Sequence, residues 1–228
     1  MRIRTILAAA AAPAALAAVL LGTTVGQASA ATNPGNGAVI ITSQAQADAL
    51  VQSGVIAKNI DVPQNVSISL GSGVGSFQGG LVINGNVTVE GQLALNGVTV
   101  NGNVTVSDNG DGAAPGSASQ LSLFNNPSHI TRNLTVTGSA GGDNGNGNRN
   151  GTSFADNADQ PWGPTPVTQI DGNFTFTGNT GWLYVGAPVH VNGNFTANGN
   201  GPYTWGGAFN YGGVSAAKTS VVPPTYNS

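Results

Sequence analysis

The chain has 228 residues, with six Lys/Arg against nine Asp/Glu, 35 Gly and no Cys. So few cations exclude a nucleic-acid footprint, which needs clustered Lys and Arg to release counterions, and the missing Cys excludes a disulfide framework. Only 7% of residues are charged, so solubility has to come from Asn, Thr, Ser and Gln.

Residues 1–30 read as a secretory signal peptide. Arg2 and Arg4 form a charged start, Ile6 to Val25 is Ala/Leu-rich, and Ala28-Ser29-Ala30 is a small-x-small cleavage site. Export is the expectation, with no stable membrane insertion after cleavage, since no second apolar span occurs. The rest of the chain keeps four Lys/Arg against nine Asp/Glu, a net charge of −5. Its length suits one modest domain.

Residues 31–61 read as an N-terminal strand and helix cap. In "TSQAQADALVQSG", Ser43 is an N-cap with Gln46 at the capping-box position, and Gly54 is a C-terminal stop. Ala47, Leu50 and Val51 form the face that would cover the first coil.

From 62 to 200 one phrase returns six times: VPQNVSI (62–68), INGNVTV (83–89), VNGNVTV (100–106), ITRNLTV (130–136), IDGNFTF (170–176) and VNGNFTA (191–197). Asn65, Asn86, Asn103, Asn133, Asn173 and Asn194 hold its fourth position, and Ser67, Thr88, Thr105, Thr135, Thr175 and Thr196 its sixth. Each copy alternates apolar and polar residues as a half-buried strand does. "GQLALNGVTV" adds a second alternating run, Leu93/Leu95, and a turn at Asn96-Gly97. An underlying period of 17 to 21 residues, with insertions, predicts a β-solenoid of about six coils, each of two or three short strands. Stacked Asn side chains would form a structural ladder at one corner, and the Ser/Thr row would face outward as a surface for contact. The Asn-x-Thr triplets match glycosylation sequons, but their periodic return makes them architecture. No strand-to-helix context supports a phosphate loop.

Two long inserts, 107–129 and 137–169, leave the repeat in the same phase and should lie along one edge. They carry Asp108, Asp111, Asp143, Asp156 and Asp159, together with Trp162. "DNGDG" lacks the spaced ligands and terminal Glu of a calcium loop, so no metal and no cofactor is expected. Trp162, Trp182 and Tyr184 are candidates for carbohydrate contact. Residues 201–228 read as an aromatic C-terminal cap and tail, with Tyr203, Trp205, Phe209 and Tyr211 plugging the last coil. His129 and His190 each precede a repeat copy by one residue. No carboxylate stands at a useful spacing from either, so no catalytic residue is assigned and no enzyme is expected.

The stretch "LVINGNVTVEGQLALNGVTVNGNVTV" resembles the repeats of bactofilin-type polymer-forming proteins and of secreted adhesin passengers. The likeness is good over 80–106 and looser over the other copies. It implies an all-β, single-domain, right-handed parallel β-helix, the handedness coming from the resemblance alone. Bactofilins lack a signal peptide and stack uninterrupted coils; this chain carries an export signal, two inserts and caps. The Ala-rich signal segment suggests a GC-rich bacterium such as an actinomycete. The expected function is structural or adhesive, at the cell surface or in the extracellular matrix. The partners would be further copies of the chain, or extracellular polysaccharide and cell wall. The alternatives are a carbohydrate-binding module on the insert edge, and ice or surface binding through the Thr ladder.

Overall fold

A computed structural model describes residues 37–52, 54–71, 80–107, 120–124, 126–139, 151–155, 167–180, 182–202 and 209–226. The signal-peptide reading of 1–30 lies outside these residues, as do Trp162 and the five insert aspartates. No helix of the described residues is long and apolar enough to cross a membrane.

β1 (Val39–Ile40) and α1 (Gln44–Val51) lead into a run of strand triplets. The first is β2 (Val55–Ile56), β3 (Ile60–Val62) and β4 (Ser67–Gly71); the second is β5 (Leu81–Ile83), β6 (Val87–Val89) and β7 (Gln92–Asn96). β8 (Val98–Val100), β9 (Val104–Ser107) and β10 (Gln120–Phe124) make the third. The fourth is β11 (His129–Ile130), β12 (Leu134–Thr137) and β13 (Gly151–Ala155), and the fifth is β14 (Thr168–Ile170), β15 (Phe174–Thr177) and β16 (Trp182–Val185). In the sixth, β17 (Val189–Asn198) spans two strand positions before β18 (Phe209–Asn210), and β19 (Val214–Val221) ends the run.

Every pairing among these strands is parallel, and like stacks on like. The first strands of the triplets form one ladder, β2-β5-β8-β11-β14, and the second strands another, β3-β6-β9-β12-β15 with β1 outside β3. The two merge into one 13-stranded sheet because β17 bends through the corner and belongs to both. The third strands make a separate six-stranded ladder, β4-β7-β10-β13-β16-β18. The protein is thus mostly β, built on a large parallel sheet.

Period-two alternation explains which side chains go inward. In the triplet 81–96, Leu81, Ile83, Val87, Val89, Leu93 and Leu95 are buried while Val82, Thr88 and Ala94 alternate outward. The interior is aliphatic in the early triplets and turns aromatic later, with Phe154, Phe174, Phe176 and Phe195 each at most 1% exposed. Burying each such side chain contributes roughly 1.5–3 kcal/mol.

The ranges read as inserts contain two of the third-ladder strands. β10 pairs Leu121 with Leu93 and Leu123 with Leu95, and β13 pairs Thr152 with Leu121 and Phe154 with Leu123. The "GTSFA" of β13 hides its strand character because an inward position is polar. Thr152 is fully buried between Leu121 and Leu183, and its hydroxyl has no hydrogen-bond partner. An unpartnered buried hydroxyl costs about 1–3 kcal/mol, so Thr152→Val, which keeps the shape, should stabilise the protein by about 1 kcal/mol. A denaturant titration showing a raised midpoint at unchanged slope checks this.

The start of the stack is covered. Ser43 caps α1, its Oγ accepting from the Gln46 N–H at 3.3 Å, and Gln46 Oε1 accepts from the Thr42 N–H at 3.0 Å. Gly54, at φ +70°, donates back to the Val51 carbonyl. Ala47 and Val51 are buried and Leu50 packs against the core. The Gln44 amide imitates a strand: Nε2 donates to the Ser69 carbonyl at 3.0 Å and Oε1 accepts from the Ser69 N–H at 2.8 Å. Both outward groups of Ser69 on β4 are thereby satisfied. At the other end Phe209 and Tyr211 pack on each other and on Phe176 and Phe195. Tyr203 and Trp205 lie outside the described residues.

Candidate functional site

Five of the six expected Asn positions form one ladder. The Asn86 Oδ1 accepts from the Asn103 N–H at 2.9 Å, Asn103 Oδ1 from the Asn133 N–H at 3.2 Å, Asn133 Oδ1 from the Asn173 N–H at 2.9 Å, and Asn173 Oδ1 from the Asn194 N–H at 2.9 Å. Each carbonyl thus satisfies the backbone donor of the next rung. Stacking at this corner is close: a Cβ on Gly102 would sit 2.2 Å from the Gly85 carbonyl oxygen, and one on Gly193 would sit 2.6 Å from that of Gly172.

Asn65 is not in that ladder, and Ser67 is not in the Thr row. The register pairs Ile60 with Val87 and Val62 with Val89, so the copy in phase is IAKNIDV (56–62). Asn59 takes the corner, its Oδ1 accepting from the Asn86 N–H at 2.8 Å. Asn65 instead has φ +65° in the turn between β3 and β4, and Ser67 pairs with Gln92 on the third ladder. The signal was present in Ile56-x-x-Asn59-Ile60-x-Val62, but Asp61 stands where the other copies have Thr.

The outward row of the second ladder therefore runs Asp61, Thr88, Thr105, Thr135, Thr175, Thr196, Ser220 in register. A second column beside it reads Ser107, Thr137, Thr177, Asn198. From Thr105 onward these columns carry neutral, hydroxyl-rich side chains, whereas Glu90 stands beside Ser107 at the head of the second column. Asp61, at the head of the first, is charged as well. Burial raises its carboxyl pKa, nearby Glu90 raises it further, and its Oδ1 is buried without a partner. A raised folded-state pKa means that the stabilising protonated form is lost as pH climbs through that value, so the penalty is present in full at neutral pH. Asp61→Thr should raise the melting temperature at pH 7, and the gain should shrink as the pH approaches 3.8 and below.

A second corner ladder has no sign in the repeated phrase itself. Asn179 and Asn200 are buried, yet their polar side-chain atoms are engaged. Asn179 Oδ1 accepts from the Ser139 N–H at 2.8 Å, its Nδ2 donates to the Val136 carbonyl and to Asn200 Oδ1, and Asn200 Nδ2 donates to the Phe176 carbonyl at 2.9 Å. The readable sign was a Gly two places after each of three copies (Gly138, Gly178, Gly199), followed by Ser or Asn. A third corner repeats the device, with Asn126 donating its N–H and Nδ2–H to Asn96 Oδ1.

On the first ladder the outward row is Val82, Thr99, His129, Gln169, His190, Ser215. Here stacking supplies a carboxylate partner that linear spacing did not show. His129 Nε2 lies 2.8 Å from Asp171 Oδ2, although the two are 42 positions apart. The register Ile130 to Ile170 brings them together. The other oxygen, Oδ1, accepts from Gln169 at 2.7 Å and from Asn192 at 2.9 Å. Burial pushes the Asp171 pKa up, but the hydrogen bonds from His129, Gln169 and Asn192 and the His129 charge outweigh it, and the net shift is downward. Asp171 thus ties three successive rungs together through both oxygens, which describes a staple. Its contribution is present above the ordinary carboxylate range and is lost as pH falls through the lowered value.

The candidate carbohydrate contacts divide. Trp182 and Tyr184 stand two apart on β16, on the outer side of the third ladder, with ring centroids 5.7 Å apart and planes at 27°. Tyr184 is exposed. Among the described residues no cluster of three His, Asp or Glu side chains suited to a metal occurs. No protein-family model, no curated protein and no solved structure matches the chain.

Proposed function

We propose that the chain is a secreted, non-enzymatic, right-handed parallel β-helix of a bacterial cell surface or extracellular matrix, with a structural or adhesive role. Three parallel ladders following one another in each triplet, with Asn ladders at the corners, support the solenoid reading. The observation that carries the functional reading is the second ladder's outer face. Five Thr residues stand in register from Thr88 to Thr196, on a backbone that stacking holds rigid. A hydroxyl-bearing surface, neutral from Thr105 onward, suits contact with an extended polymer or wall.

Co-sedimentation with peptidoglycan sacculi and with insoluble polysaccharides tests this. The protein should pellet with at least one of them, and Thr105→Lys together with Thr175→Lys should release it. Failure to pellet with any would contradict the adhesive reading. The stacked Trp182–Tyr184 pair favours a second reading, a carbohydrate-binding module using the third ladder, because aromatic faces suit the apolar faces of sugar rings. Under that reading Trp182→Ala abolishes retardation in glycan-containing gels while the Thr substitutions leave it unchanged.

A further inference from the structure

We propose that the outer edge of β19 pairs antiparallel with β19 of a second copy, joining two molecules end to end in a closed dimer. The inference rests on the parallel ladders and does not depend on what the Thr face binds. Among the described strands β19 has one neighbour, β17, and apart from the Val214 N–H, which donates to the Tyr211 carbonyl at 2.9 Å, its other edge has no backbone partner among the described residues. Such an edge is a template for another strand unless charge or proline blocks it. Lys218 is its only charged residue, and Pro223 and Pro224 come after the strand has ended.

The strand is close to a palindrome: Val-Ser-Ala-Ala-Lys-Thr-Ser-Val. Its register on β17 places Val214, Ala216, Thr219 and Val221 over the core positions Val189, Val191, Phe195 and Ala197. Ser215 and Ser220 instead continue the outward rows of His190 and Thr196. The register shift between Val191 and Asn194 sets this parity. Reversed against itself, the strand puts Val214 opposite Val221, Ser215 opposite Ser220, Ala216 opposite Thr219, and Lys218 opposite Ala217. Inward residues meet inward ones and outward meet outward, and the two lysines are not directly opposed. A register one residue away would break that match. Val214, Ala216 and Val221 are only partly buried and would be covered by the second copy.

Growth stops at two because the other end is closed. The Gln44 amide occupies both outward groups of Ser69, Gln46 Nε2 donates to the Ile40 carbonyl of β1 at 2.9 Å, and α1 packs over β4 and β2. A two-fold pairing of like edges is isologous and closes on itself.

Sedimentation velocity of the purified protein over a concentration series tests this, together with two variants at exposed positions checked for folding by circular dichroism. The expected result is a monomer–dimer equilibrium with no larger species. Ser215→Lys with Ser220→Lys opposes two like-charged pairs and should weaken the dimer roughly tenfold or more at low salt. Ser215→Lys with Ser220→Asp opposes unlike charges in this register and should restore it. A monomer at all concentrations, open-ended growth, or a dimer that ignores both variants would each overturn the proposal. In none of these does the Thr-face reading fall, since co-sedimentation is measured separately.

Discussion

Replacing Gly71 with Val is expected to cost the protein about 4 kcal/mol or more and to leave little folded material at 37 °C. Two independent obstacles combine. Gly71 ends β4 with φ +111°, a conformation that a β-branched residue strongly resists. In addition, a Cβ there would lie 2.0 Å from the Asn96 carbonyl oxygen and 2.8 Å from its carbon. Both are backbone atoms of the next rung, so neither can swing aside as a side-chain tip would. The third ladder would have to open between β4 and β7, where Gly71 pairs with Asn96. A denaturant melt checks the prediction, and a midpoint within error of the unmodified protein would refute it.

The second large effect is expected from Phe174→Ala. Phe174 is fully buried and lies between Phe154, at a centroid distance of 5.7 Å and 65°, and Phe195, at 5.0 Å and 36°. Emptying that site removes the transfer free energy of the ring and leaves a cavity between rungs that backbone hydrogen bonding holds at fixed spacing. The loss should be about 3–5 kcal/mol. For a domain of this size each kcal/mol shifts the melting temperature by about 2–4 °C, so calorimetry should show a drop on the order of 10 °C. Phe174→Leu, which refills much of the volume, should recover more than half of it.

Much of this fold was legible because strand alternation and corner chemistry repeat with the rungs. Five of the six Asn positions, the α1 cap and the turn at Asn96-Gly97 could be read from residue type alone. Misphasing of the first copy has a specific cause: Asn serves both as a ladder residue, at Asn59, and as a left-handed turn residue, at Asn65. The motif does not distinguish the two uses. β13 was hidden because Thr152 breaks the apolar alternation, and β19 because an end strand with one neighbour needs no large apolar side chains. The pairing of His129 with Asp171 is a property of register, which is set by how many residues each loop absorbs between rungs. No local pattern encodes that number.

The absence of Cys from the sequence makes a direct test of the register straightforward, since spin labels attach only where a Cys is introduced. Labels at Thr88→Cys and Thr196→Cys would sit on the same outward column, four strand steps apart. At about 4.8 Å per step, a pulsed electron–electron distance measurement should give a narrow distribution near roughly 20 Å, somewhat broadened by the label arms. A broad distribution, or one centred beyond about 35 Å, would contradict the in-register parallel stacking on which the Thr face depends.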